Sequence, residues 1–225
     1  MLVPTGRLKP PWRCLLGVVP EMNQRAPIHR VVVLCGLLIV GLLLAPGGQA
    51  HVEAGGAGSV VAGFLHPVTG IDHVVAMVAV GLWGAVLGPP AIWLLPVAFP
   101  MVMAFGGLLG LLAVPLPGVE TGIALSALVL GVLVMFQTRL PLVWTFLLVG
   151  LFALFHGFAH GIELPEGADA LLFSLSFVVA TGLLHLVGIG LGEVRRWAWG
   201  PSVLKLAGAV IAAVGIWSLT QLGGA

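Results

Sequence analysis

His66, Asp72 and His73 lie within one short stretch, His-Pro-Val-Thr-Gly-Ile-Asp-His, at the start of an apolar run. His156, His160 and Glu163 lie in a second stretch, His-Gly-Phe-Ala-His-Gly-Ile-Glu, at the end of another. Ionisable side chains inside apolar segments are expensive in a bilayer and mark ion or substrate pathways. Six nitrogen and oxygen donors in two clusters suit a divalent cation. Imidazole and carboxylate without thiolate fit Ni, Co, Zn or Fe(II) and argue against Cu(I).

The elements that must present these donors are helices. On a helix, positions i, i+4 and i+7 share one face. His156, His160 and Glu163 have that spacing and form a three-ligand surface. Gly157 and Gly161 beside them permit a close-packed neighbouring helix. The alternative is a set of buried histidines hydrogen-bonded to carbonyls. The first cluster is less regular. Pro67 suits the first turn of a helix with His66 just before it, and Gly70 can loosen the backbone between the two histidines. His66 and His73 then share a face. Asp72 ligates only through an unwound segment, or else orients a histidine from behind. The alternative is a capped helix start with Asp72 paired to His73. A half-broken helix with an ionisable group at its end is a transporter device.

Composition places these helices in a membrane. The 225 residues are 60% hydrophobic and 8% charged, with a mean hydropathy of +1.17. Soluble domains carry about a quarter charged residues. The expected fold is all-α, a polytopic helical membrane protein with about six transmembrane helices after a cleaved signal peptide. The spans are read at 67–87, 91–114, 119–136, 141–163, 168–194 and 202–222, separated by Pro- and Gly-rich breaks. Pro96 and Pro100 fall inside the second span and should kink it. Without a basic patch, a nucleic-acid partner is excluded. The lipid bilayer and a metal ion are the expected partners, and a homo-oligomer or a metallochaperone stays open.

Residues 1–50 read as an N-terminal extension and signal peptide, and 51–225 as the transmembrane permease domain. Arg25, His29 and Arg30 precede an apolar run from Val31 to Leu44, and Gly48 and Ala50 suit cleavage after Ala50. Starting at Met22 gives a signal peptide of ordinary length. An uncleaved first helix is the alternative. Cys14 and Cys35 both fall in this leader, so the mature chain has no cysteine. It would carry four basic and seven acidic residues, net −3. With the mature amino terminus outside, Arg139, Arg195, Arg196 and Lys205 all lie on or beside inner loops, as the positive-inside rule demands. This topology puts both donor clusters at one depth, near the outer face.

Four further residues are accessory candidates for metal binding or the ion pathway. Ser174, Thr181 and His185 repeat at seven and four residues down the fifth span, with His185 toward the inner leaflet. They are an exit station or, for His185, a satisfied core histidine. His51, at the new amino terminus, can join its free amine in binding metal. Met77, Met101 and Met103 read as packing residues.

His66-Pro67-x4-Asp72-His73, with Met77 and Gly81-Leu82-Trp83, and Phe155-His156-Gly157-x-Ala159-His160-Gly161-x-Glu163 together resemble the HupE/UreJ family of nickel permeases. The span count, the signal peptide and Leu184-His185 also match, so the resemblance covers essentially residues 51–225. The related nickel/cobalt transporter family has His-x4-Asp-His, whereas five residues separate His66 from Asp72 here. The resemblance implies bacterial uptake of Ni2+, or Co2+, from periplasm to cytoplasm across the inner membrane. The ion would serve maturation of a metalloenzyme such as hydrogenase or urease. By position it makes His66, Asp72, His73, His156, His160 and Glu163 the metal residues. The ion is substrate; no prosthetic group is implied. Because ligands must be deprotonated, affinity is expected to fall as pH drops through the histidine range near 6.5. No nucleotide-binding motif appears, which argues against direct ATP coupling by this chain. The chain is therefore read as a non-enzyme. An intramembrane metal-dependent hydrolase is the enzymatic rival. A b-haem carrier is disfavoured, because His156 and His160 sit one turn apart on one helix.

Overall fold

The computed structural model describes residues 56–223. The leader, its cleavage point, both cysteines and His51 lie outside the described residues. Among those described, all regular structure is helical: α1 (Gly56–Thr69), α2 (Ile71–Leu87), α3 (Ala91–Leu111), α4 (Val119–Met135), α5 (Leu142–Ile162), α6 (Ala170–Gly192) and α7 (Gly200–Leu222), with a 3-10 turn at Glu193–Arg196. Helices are the economical choice for such apolar segments, because each satisfies its own backbone groups without water. They stop where the sequence supplies Pro or Gly: Gly88-Pro89-Pro90, Pro115–Gly118, Pro141 and Gly200-Pro201. The start of α6 is fixed by Asp169, whose Oδ1 accepts from the amides of Leu171 and Leu172. The Asp169 amide in turn donates to Ser59 Oγ at 2.8 Å, tying α1 to this corner.

Helices α3, α5, α6 and α7 are each long and apolar enough to cross a membrane. The helices α1 and α2 meet that test only together, bent by 79° at Gly70. The expected first span is therefore not a straight helix opening at Pro67. Pro67 instead sits in the last turn of α1, and His66 with it. At 17 residues α4 is apolar but short; it extends about 25 Å against a hydrocarbon core of roughly 30 Å. Among the described residues the length and composition test is met by four helices, or five spans with the bent pair, and α4 is the remaining apolar helix of the expected six.

The bundle is arranged for lipid. Large apolar side chains such as Trp93, Met101, Val143, Trp144 and Leu147 face outward. The interior holds Met77, Trp83, Leu95, Phe99 and Leu130 together with His156, Thr181 and His185. The main helix pairs are α3 with α5, α4 with α7, and α2 with both α6 and α4, while α1 lies on α6. Glycine makes the closest of these contacts possible. A Cβ on Gly157 would run into the Met103 carbonyl, and one on Gly161 into the Gly107 carbonyl. Gly106 and Gly110 of α3 are pressed in the same way against the carbonyls of Leu154 and Phe158. The small-residue spacing beside the histidines thus does what it is expected to do.

One end of the bundle gathers the cations. Trp83 Nε1 donates to the Thr138 carbonyl at 2.9 Å, and Gln137 Nε2 to the Pro201 carbonyl at 3.2 Å. These bonds join the α2 C-terminus, the α4–α5 loop carrying Arg139 and the α6–α7 junction carrying Arg195 and Arg196. The donor clusters occupy the opposite end.

Candidate metal centre

The break at Gly70 builds half of the site. Gly70 is extended (φ −88°, ψ 117°) and α2 restarts directly after it. His66, ending α1, therefore approaches from a direction that a continuous helix would not allow. His73 enters from the first turn of α2. The other half is the last two turns of α5, where His156 and His160 point inward and Glu163 caps the helix. The principal partner of α5 is α3, and that of α2 is α6. The two donor-bearing helices therefore meet through side chains, not through a backbone seam.

His66 Nε2 lies 3.2 Å from Glu163 Oε2, and His160 Nδ1 lies 3.7 Å from the same oxygen. One ligand atom from each of His66, His160 and Glu163 falls within 4.8 Å of the other two. The compact trio is thus drawn from both clusters, and differs from the single-helix triple expected on α5. His156 lies outside that trio; its Nδ1 donates to the Phe152 carbonyl at 2.9 Å, which leaves Nε2 as its free face. Its ring meets His73 instead, at 5.1 Å between centroids and nearly perpendicular. His73 also lies 4.5 Å from the His160 ring, and His66 4.8 Å from it. All four imidazoles are therefore contiguous, with His160 in the middle.

Asp72 takes the supporting position. Its Oδ1 is 3.1 Å from His73 Nδ1, which leaves Nε2 as the free face of that ring. The sequence left open whether Asp72 ligates or orients; this pairing favours orientation. A Cβ on Gly70 would come within 3.0 Å of both Asp72 Oδ1 and His73 Nδ1. Gly70→Ala is expected to prise this pair apart and weaken metal affinity by about tenfold, readable by nickel titration of the purified protein.

The donors are otherwise unsatisfied. His73 Nε2, His156 Nε2 and both nitrogens of His160 are buried without a hydrogen-bond partner among the described residues. Burying such groups unpaired is costly, and ligation of a cation removes that cost. Glu163 is half-exposed, and the His160 and His66 side chains hold its carboxyl well below the usual carboxylate range. It is therefore a carboxylate at any ordinary pH.

Ser174 lines a cleft of about 250 Å³ with His160, Phe173, Phe177, Gly157 and Gly161, so it borders the centre without joining it. Thr181 and His185 lie deeper on α6, fully buried. Two neighbours of the centre lie outside the motifs. Glu120, in the first turn of α4, lines a hollow shared with Asp72; an acidic residue opening an apolar helix was the available cue. Phe99 stands between histidines, 5.9 Å from His156 and 5.2 Å from His185, and one aromatic among many apolar residues gives no cue.

Residues 38–218 match the family model described as HupE / UreJ protein. The chain is also 46% identical over 167 residues to Protein HupE of Rhizobium leguminosarum bv. viciae, covering 74% of this chain and 87% of that protein. No solved structure matches.

Proposed function

This chain belongs to the HupE / UreJ family, and from that premise we propose that it carries a divalent transition-metal ion, nickel or cobalt, through the bacterial inner membrane. The ion is captured by His66, His160 and Glu163 at the periplasmic rim and passed to His73 and His156. Asp72 holds the His73 ring. The observation that carries this reading is the convergence of donors from two separate segments, several with buried nitrogens that nothing else satisfies. A cleaved leader ending at Ala50, an outer amino terminus and delivery to hydrogenase or urease maturation complete the proposal.

The chemistry follows from the ligand types. A permease site must bind tightly enough to select and loosely enough to release, and neutral imidazoles with one or two carboxylates fit that better than thiolates. Protons compete with the metal for the imidazoles. Uptake is therefore expected to decline as the external medium is acidified.

Accumulation of Ni, Co and Zn in cells expressing wild type or Glu163→Gln tests the reading. Wild type should raise cellular nickel or cobalt over the empty vector, and Glu163→Gln should lose about tenfold or more of that uptake. Unchanged accumulation by the wild type would remove the proposal.

A further inference from the structure

Below the outer centre a second set of polar atoms is buried in the bundle without partners. Both ring nitrogens of His185 and the hydroxyl of Thr181 have no hydrogen-bond partner among the described residues, and both residues are 0% exposed. They stand four apart on α6, on one face. Phe177, one turn nearer the outer end, packs on His160 with ring centroids 4.2 Å apart. Phe177, Thr181 and His185 thus run down one stripe, with His185 about 12 Å below Phe177 along the axis.

The facing helix supplies an oxygen. In α3 the residue four beyond Pro96 is Pro100, which has no N–H to give to the Pro96 carbonyl. Two prolines four apart, in a helix that stays continuous, therefore leave the Pro96 carbonyl without its helical N–H, and it faces the His185 ring as an acceptor. The Phe99 ring connects this place to the outer donors, touching His156 on one side and His185 on the other.

We propose that His185, Thr181 and the Pro96 carbonyl form a second, inner station for the transported divalent cation, separate from the outer centre. The inference rests on reading the chain as a metal permease. One imidazole and two neutral oxygens, with no carboxylate in the set, make a weaker and harder binding site than the outer one. The remaining coordination positions are left to water. Such a station holds an ion briefly after it leaves His156. A histidine kept only for packing would be better replaced by an apolar ring, since a buried ring nitrogen without a partner costs free energy.

The test uses the full chain, with nickel-63 binding in detergent and nickel influx into proteoliposomes. The variants are His185→Leu, which fills the space without donors, His185→Asn, which restores a donor, and Thr181→Val, which removes only the hydroxyl. The expected result is that His185→Leu keeps the high-affinity outer ion, loses the weaker ion seen in wild type, and slows influx about tenfold or more. His185→Asn should recover part of that influx, and Thr181→Val should weaken only the inner ion. Wild-type influx in His185→Leu with both ions retained would overturn the inner station and leave the outer centre standing. Loss of the outer ion in His185→Leu and His185→Asn alike would overturn it in favour of a structural role. Absence of any binding by the wild type, of nickel and of cobalt in the same assay, would overturn the permease reading and the inner station together.

Discussion

His160→Ala is expected to bring nickel uptake down to the vector background while the protein still inserts in normal amount. His160 joins donors of both clusters. It lies 3.7 Å from the Glu163 carboxylate, 4.8 Å from the His66 ring and 4.5 Å from the His73 ring. Removal of a residue that merely orients a ligand already costs about 10- to 100-fold in affinity. Loss of a ligand shared by both halves should exceed that, so a fall of at least about 100-fold is the expected size. Its one polar tie is the loose pair with Glu163 at the helix end, so insertion should survive alanine. Nickel-63 uptake normalised to membrane-inserted protein is the measurement, and normal uptake would exclude His160 as a ligand.

Gly157→Val is expected to act on the scaffold, with a loss as large in uptake but a different signature. Its first new carbon overlaps the Met103 carbonyl, so relief requires moving α3 away from α5 as a body. Overpacking that side chains can absorb costs about 1–3 kcal/mol; here the obstacle is backbone, and the cost should exceed that. Low yield, early melting in detergent and loss of binding should appear together. A variant of normal yield and melting would show that α3 and α5 sit farther apart than described.

Much of this was legible before any coordinates. The Pro and Gly breaks placed most helix ends, because lipid-facing helices have few other ways to stop. Gly157 and Gly161 announced a close neighbour, and α3 is that neighbour. The two donor clusters were expected at one depth, and His66 indeed touches Glu163. The start of the first span was not legible. Residues 56–65 are rich in Gly and Ala and lie before the expected first span at 67; packing on α6 makes them a helix. Pro67 fits a first turn as readily as a last one, so local chemistry alone could not order His66 relative to the bend. Spacing on one helix also could not show that His66 of the first cluster, with His160 and Glu163 of the second, makes the most compact group. Nor does spacing reveal that Phe99 fills the space between two histidines.

Glu163 and Asp72 both sit at the mouth, while His156 and His185 are enclosed by apolar rings. Under the proposed function, a doubly charged ion is met first by full negative charge and afterwards only by dipoles. Attraction to the mouth then speeds capture from dilute solution, and departure from those carboxylates becomes the costly step.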